Sequence, residues 1–462
     1  MEMNGKTDEL KAALHKAEQQ KINDKWRQHF HLMPPVGWLN DPNGLCQFNG
    51  EYHIFFQYSP FDVKPGTNFW GHYTTRDFVN YSYLEPALCC DEDFDSSGVY
   101  SGSAYIENGK MYLYYTGNVK HKGDYDYIKA GREHNTILAE SEDGIHFGKK
   151  QVLLRNSDYP SDESCHVRDP KVWKRGDEYL MLLGARRLDD TGELLLYSSL
   201  DKKHWELMSR VGTDEKFGYM WECPDYAEIN GKKFVIFSPQ GIEADGIRYN
   251  NVYQTGYCRL FGDMETGYCI TDFDELDRGF DFYAPQSFID EKGRRIQIGW
   301  MGVPDTEFGN PTTEYGWIHC LTIPYELKEK HGKIYRCPIE ELKSLRIGRV
   351  DAGKADIFEA EIENPNSDEF EVRIKNDCII EYKDDILSLK FGKSGYGRDK
   401  RSVEIKEVNR LRIFCDSSSV EIIANDGEAV FSSRFYPQED ERGISAPGMD
   451  MKVWELGQFN IN

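Results

Sequence analysis

The sequence predicts an all-β protein: a five-bladed β-propeller followed by a C-terminal β-sandwich, with a short N-terminal helix. Three observations carry this. Aromatic residues make up 13% of the 462 residues, and 41 glycines accompany them, a mixture suited to short strands and tight turns. A glycine turn followed by a dense apolar run recurs five times, at Gly50, Gly109, Gly176, Gly231 and Gly293, with spacings of 59, 67, 55 and 62 residues. Near-regular repetition of β-hairpins is the mark of a propeller. After about residue 350 the pattern changes to alternation of apolar and polar residues with an Asn425-Asp426-Gly427 turn, as in an antiparallel sandwich.

Taken in order, the chain opens with a stretch from Thr7 to about Gln28 that places Leu10, Leu14, Ala17 and Ile22 on one stripe. It reads as a terminal helix docked on the next domain. The five hairpins follow as NGEYHIFFQY, NGKMYLYYTG, RGDEYLMLLGAR, NGKKFVIFSPQG and KGRRIQIGWMG, each preceded by a shorter strand-like run. The segment Cys337–Gly348 reads as a linker. The expected units are an N-terminal extension over 1–27, a propeller over 28–335, a linker over 336–349 and a supporting sandwich over 350–462.

Charge and motif content narrow the function classes. With 56 basic against 79 acidic residues, the net charge of −23 repels phosphate backbones and anionic lipid, which argues against nucleic-acid and membrane partners. No apolar signal region and no run of about 18 apolar residues is found, so a cytoplasmic location is expected. The 11 cysteines are scattered without a C-x-x-C pair and are expected to be reduced thiols. Neither a metal nor another cofactor is implied. The acidic run Asp91-Glu92-Asp93 with Asp95 is read as a solvated loop, and His72 as a strand residue.

The start of each repeat is chemically loaded. Asn40-Asp41-Pro42, Tyr100-Ser101-Gly102, Arg168-Asp169-Pro170, Glu222-Cys223-Pro224 and Tyr283-Ala284-Pro285 precede their turn glycines by similar offsets. Equivalent offsets bring Asp41, Asp169 and Glu222 to one mouth of the channel. Paired carboxylates in an aromatic-rich pocket suit glycoside hydrolysis, which needs one ionised carboxylate and one carboxylic acid. The Pro42-Asn43-Gly44 turn is expected to aim backbone N–H groups at Asp41 and favour its ionised form. Trp221 and Met220 are expected to give Glu222 an apolar flank suited to an acid. Arg168 is expected to pair with Asp169 and keep it charged. Trp70, Trp221 and Trp300 are candidates for stacking on sugar faces or for packing between blades.

The motifs WLNDPNG, FWGHY, YSGSA, RDPKVW, WECPD, YQTGY, FDFYAPQSF and IGWMG occur in order, and LRIFCDSSSVEIIANDGEAVFSSRFYP follows near the C-terminus. With these motifs the chain resembles glycoside hydrolase family 32, the invertase and β-fructofuranosidase group, over about residues 28 to 457. Within it, the similarity is greatest to bacterial intracellular members that hydrolyse sucrose 6-phosphate. The resemblance implies a retaining mechanism on sucrose, its 6-phosphate or short fructans. It makes Asp41 the nucleophile, Glu222 the acid/base and Asp169 the transition-state stabiliser. It also implies that Asn40, Gln57, Tyr100, Ser101, Arg168, Tyr283 and Trp300 line the fructosyl subsite; Trp70 is a further candidate for binding substrate, and a monomer or homodimer is expected. Two departures concern substrate preference. Val63-Lys64-Pro65-Gly66 stands where many members have a Glu-Trp-Gly turn, and Tyr100 where many have Phe. Lys64, Lys120, His121 and Arg132 are candidate cations for a 6-phosphate. The alternatives are a fructosyltransferase using sucrose as donor, a non-catalytic glycan-binding propeller, and an inverting arabinan-type hydrolase.

Overall fold

A computed structural model describes residues 2–20, 24–364, 366–438 and 440–462; for residues 2–6 it describes the backbone alone. Five sheets follow one another along the chain, each built on four antiparallel strands, with short strands added to some. Their innermost strands are Gly37–Phe48, Val99–Glu107, Glu163–Arg175, Met220–Ile229 and Tyr283–Ile289. Each inner strand packs against the next, and the fifth returns to the first, so the sheets surround a common axis as a propeller. Trp317–Ile318, from the segment that interrupts the fifth sheet, pairs in parallel with the first inner strand and ties the ends of the ring together.

The hairpin turns explain the glycine repeat. Asn49-Gly50, Asn108-Gly109 and Asn230-Gly231 each have positive φ at both positions, the backbone of a two-residue turn that matches strand twist. A Cβ at Gly50, Gly109 or Gly231 would meet open space, so backbone conformation rather than crowding calls for glycine there.

The sandwich consists of a six-stranded and a five-stranded sheet over an apolar core that includes Phe358, Ile380, Leu389, Ile413 and Phe431. Its junction with the propeller combines an apolar cluster that includes Phe414, Ile423 and Val430 with buried polar contacts. Asp277 accepts from the Ser432 amide and hydroxyl at 2.9 and 2.7 Å, and Arg398 grips Asp281 through two bonds of 2.7 and 2.8 Å. His31 reaches Asp416 at 2.8 Å through Nδ1 and Glu421 at 3.0 Å through Nε2. Glu421 also accepts from the Tyr325 hydroxyl at 2.5 Å and the Ile323 amide at 2.8 Å.

The structure departs from the expected outline in four places. The helix runs Glu2–Glu18, stopping well short of Gln28. Leu14 is buried and Leu10 packs against an apolar cluster, while Ile22 lies outside the described residues. Residues 26–31 leave the helix and dock on the sandwich, with the Trp26 indole donating to the Pro437 carbonyl at 3.2 Å and the His29 amide to Asp416 at 2.8 Å. The last strand, Asn460–Ile461, returns to the edge of the first propeller sheet. Asp91 and Asp95 do not form a solvated loop, because both clamp the Lys150 ammonium, at 2.6 and 2.7 Å. His72 is a buried strand residue bonded to His53 at 2.9 Å. Among the described residues no helix is long and apolar enough to cross a membrane.

Burial works against a charged His31, but Asp416 and Glu421 outweigh it and raise its pKa to about 9. A raised pKa means that the clamp contributes fully below the unfolded value of about 6.5 and is lost as pH climbs through 9. Replacing His31 by Gln is expected to cost about 3 kcal/mol at pH 6, since it strands two buried carboxylates. Denaturant melts across pH 6 to 10 check this, and the gap from the parent should narrow towards the alkaline end.

Candidate active site

All five inner strands carry one extra residue at the same level. The pairing register slips between Leu39 and Pro42, Tyr100 and Gly102, Arg168 and Lys171, Glu222 and Asp225, and Tyr283 and Gln286. A bulge interrupts the ladder and re-aims side chains. Here Asp169, Cys223 and Ala284 take φ values of 65°, 48° and 47°. Such backbone costs about 1–3 kcal/mol per residue and persists only where its surroundings enforce it.

The bulges generate two tiers. The deeper tier is Asp41, Ser101, Asp169, Cys223 and Ala284, all buried. The outer tier consists of the residues just before them, Asn40, Tyr100, Arg168, Glu222 and Tyr283, and all five line one pocket of about 210 Å³. Asp41, Gln57, Ser101, Asp169 and Trp300 complete its floor and wall. Asp41, Asp169 and Glu222 thus meet at one mouth, but not in one register. Glu222 belongs to the outer tier, and Cys223 is the counterpart of Asp169.

Each carboxylate takes at least one donor from a neighbouring sheet. Asp41 accepts from Ser101 Oγ at 2.5 Å, Asn40 Nδ2 at 3.0 Å and Gln57 Nε2 at 3.5 Å. Asp169 accepts from the Cys223 amide at 2.9 Å. The Cys223 thiol lies 3.6 Å from both aspartates, so the two carboxylates flank a single sulfur. Glu222 accepts from Arg168 through Oε1, and from Tyr283 Oη at 2.5 Å and Gln240 Nε2 at 2.8 Å through Oε2.

Several expectations are corrected here. Asp41 receives side-chain donors, because the turn after it directs Asn43 Nδ2 to the Asp41 carbonyl instead. Arg168 bonds to Glu222, with its Nε 3.8 Å from Asp169. Strand alternation turns Trp221 away from Glu222 and into the core against Phe237, so the carboxylate has a polar environment. Trp70 does not line the pocket. It is fully buried beside Phe55 and Tyr115, and its indole N–H supports the Tyr100 carbonyl at 3.1 Å. Trp300 does line it, and its indole nitrogen is buried without a hydrogen-bond partner. Gln240 was missed, although a polar side chain ending the apolar run KFVIFSPQ is a visible signal. Asn68, which donates to Gln57, and the Cys223 amide carry no comparable mark.

Burial raises the pKa of Asp41 despite the opposing bonds from Ser101 and Asn40, and Glu222 adds to the rise. Asp169 is pushed up to about 7 by burial, which Arg168 opposes and the charges of Glu222 and Asp41 reinforce. Asp169, buried beside two further carboxylates, therefore retains its proton to near neutrality.

Comparison with known proteins gives the family. Residues 31–338 match the glycosyl hydrolases family 32 N-terminal domain, and residues 338–455 the family 32 C-terminal domain. The chain belongs to glycosyl hydrolase family 32. This family 32 enzyme is 40% identical to sucrose-6-phosphate hydrolase of Bacillus subtilis (strain 168), over 94% of this chain and 95% of that one. Its fold is similar to that of sucrose-6-phosphate hydrolase from Lactobacillus gasseri, with a TM-score of 0.88 at 29% identity, covering 96% of each chain. A Bombyx mori GH32 beta-fructofuranosidase mutant in complex with sucrose aligns with a TM-score of 0.86 at 30% identity, covering 98% of each.

The raised Asp169 pKa makes its ionised form a burden on the fold. The burden is absent below about pH 4, where the carboxyl is protonated whether folded or not, and complete above about 7. Asp169→Asn is therefore expected to melt above the parent at pH 8, with the gap closing as pH falls from 7 towards 4. Calorimetry over that range decides it, and a lower melting temperature at pH 8 would show that the bond from the Cys223 amide outweighs burial.

Proposed function

We propose that this family 32 enzyme is a retaining β-fructofuranosidase that hydrolyses sucrose and sucrose 6-phosphate. The observation that carries the proposal is the meeting of Asp41, Asp169 and Glu222, from three separate sheets, around one pocket mouth. The names of the relatives support the substrate.

In this reading Asp41 attacks the anomeric carbon of the fructosyl unit while Glu222 protonates the departing glycosidic oxygen. The covalent fructosyl-enzyme is then hydrolysed by a water that Glu222 deprotonates, with retention of configuration. Asp169 accepts from fructosyl hydroxyls. Arg168, touching Glu222 and close to Asp169, compensates their charge. Catalysis is assigned to the propeller and a supporting role to the sandwich. A cytoplasmic location fits a phosphorylated substrate, whose charge keeps it from crossing a bilayer unaided.

Two experiments test this. Asp41→Asn and Glu222→Gln should each lower kcat by at least about a thousandfold. Azide should restore turnover in the Glu222 variant on an activated fructoside and yield the retained fructosyl azide, read by proton NMR. Near-native turnover by the Asp41 variant would end the assignment. In the parent, kcat/KM should rise as pH climbs towards about 7, because Asp169 gains there the charge with which it accepts from fructosyl hydroxyls. A profile flat up to about pH 7 would refute that proton accounting.

A further inference from the structure

One rim of the pocket is unexplained by the carboxylates. Arg132 lines it and opens a strand of the second sheet, directly opposite Lys120 in the hairpin register. Among the described residues neither cation has an acidic side chain within ion-pair distance, in a chain with 79 acidic residues.

His166 shows why Arg132 is left open. Its ring lies between two guanidinium groups, with Nδ1 2.6 Å from Arg168 Nη1 and Nε2 3.1 Å from Arg132 Nη1. A neutral imidazole has one N–H and one lone pair, so it can accept from only one of them. Nε2 also lies 3.3 Å from the Tyr127 carbonyl, which can only accept. The proton therefore belongs on Nε2 and the lone pair on Nδ1, facing Arg168. A charged ring would accept from neither, and burial, then Arg168 and Arg132, push its pKa down to about 2. Arg132 is consequently turned towards an N–H, and its own Nε is buried without a hydrogen-bond partner.

A guanidinium with unfilled donors, backed by a second cation, is suited to a group presenting several anionic oxygens. We propose that Arg132, with Lys120 behind it, receives the phosphate ester carried by the leaving-group sugar and so selects the phosphorylated over the unphosphorylated disaccharide; this rests on the fructosidase reading above. The other expected cations fit less well. His121 is exposed and already bonded to Glu133 at 2.9 Å, and Lys64 points from an exposed loop.

The test compares kcat/KM for sucrose 6-phosphate and sucrose in the parent, Arg132→Gln and Arg132→Lys, with thermal melts to confirm folding. The parent should prefer the phosphorylated substrate. That ratio should fall about tenfold to a hundredfold in Arg132→Gln, the scale of one charged hydrogen-bonding group, and recover in part in Arg132→Lys. Calorimetric binding of glucose 6-phosphate and of inorganic phosphate to the parent and to Arg132→Gln reads the anion site without turnover. Both anions should bind the parent and lose affinity in the variant. An unchanged ratio in a folded variant, or a parent with no preference, overturns the proposal and leaves the fructosidase reading standing. A parent inactive on both sugars overturns that reading instead, and the binding measurements then judge Arg132 alone.

Discussion

The central constraint on this molecule is the burial of three carboxyl groups beside one guanidinium. Left to themselves, Asp41, Asp169 and Glu222 would repel one another or take up protons. Arg168 touches Glu222 and lies close to Asp169, and apart from Asn40, beside Asp41 on its own strand, the other compensating donors come from neighbouring strands: Ser101 and Gln57 for Asp41, the Cys223 amide for Asp169, Tyr283 and Gln240 for Glu222. These donors act only if five inner strands hold a common level. The bulge repeated in each of them meets that requirement, and the left-handed backbone at Asp169, Cys223 and Ala284 is its local cost.

The sandwich contributes to the same end. Its contacts with the propeller combine an apolar cluster that includes Phe414, Ile423 and Val430 with buried ion pairs, which are weak evidence for stability but orient the two units. Asp281 is held by Arg398 and by the Arg434 amide, and lies two residues before Tyr283, whose hydroxyl bonds to Glu222. A short stretch of chain therefore joins the sandwich interface to the acid/base candidate. His31 does similar work from the other end, linking the segment before the first inner strand to Asp416 and Glu421.

Much of this was legible in one dimension. Turns that need positive φ select Asn-Gly, so the hairpins announce themselves, and alternation marks the sandwich. The helix boundary was less legible, since the polar stretch after Glu18 continues a plausible stripe while its later residues find better partners on the sandwich. Trp70 illustrates the same limit. Its neighbours in sequence do not reveal whether an aromatic ring faces sugar or core, and here the core takes it.

The order of residues along the chain was enough to establish the repeat, the placement of the three acidic side chains at strand starts and the family to which they belong, because turn chemistry and strand periodicity act over a few neighbours. Folding in three dimensions decided the rest. It moved Glu222 one position out of register with the aspartates, gave Arg168 to Glu222, and left Arg132 facing a pocket without an acidic partner among the described residues. Those outcomes depend on which groups from distant sheets reach one another first within hydrogen-bonding range, and such competition, being set by distance in space and by burial, has no counterpart in local sequence.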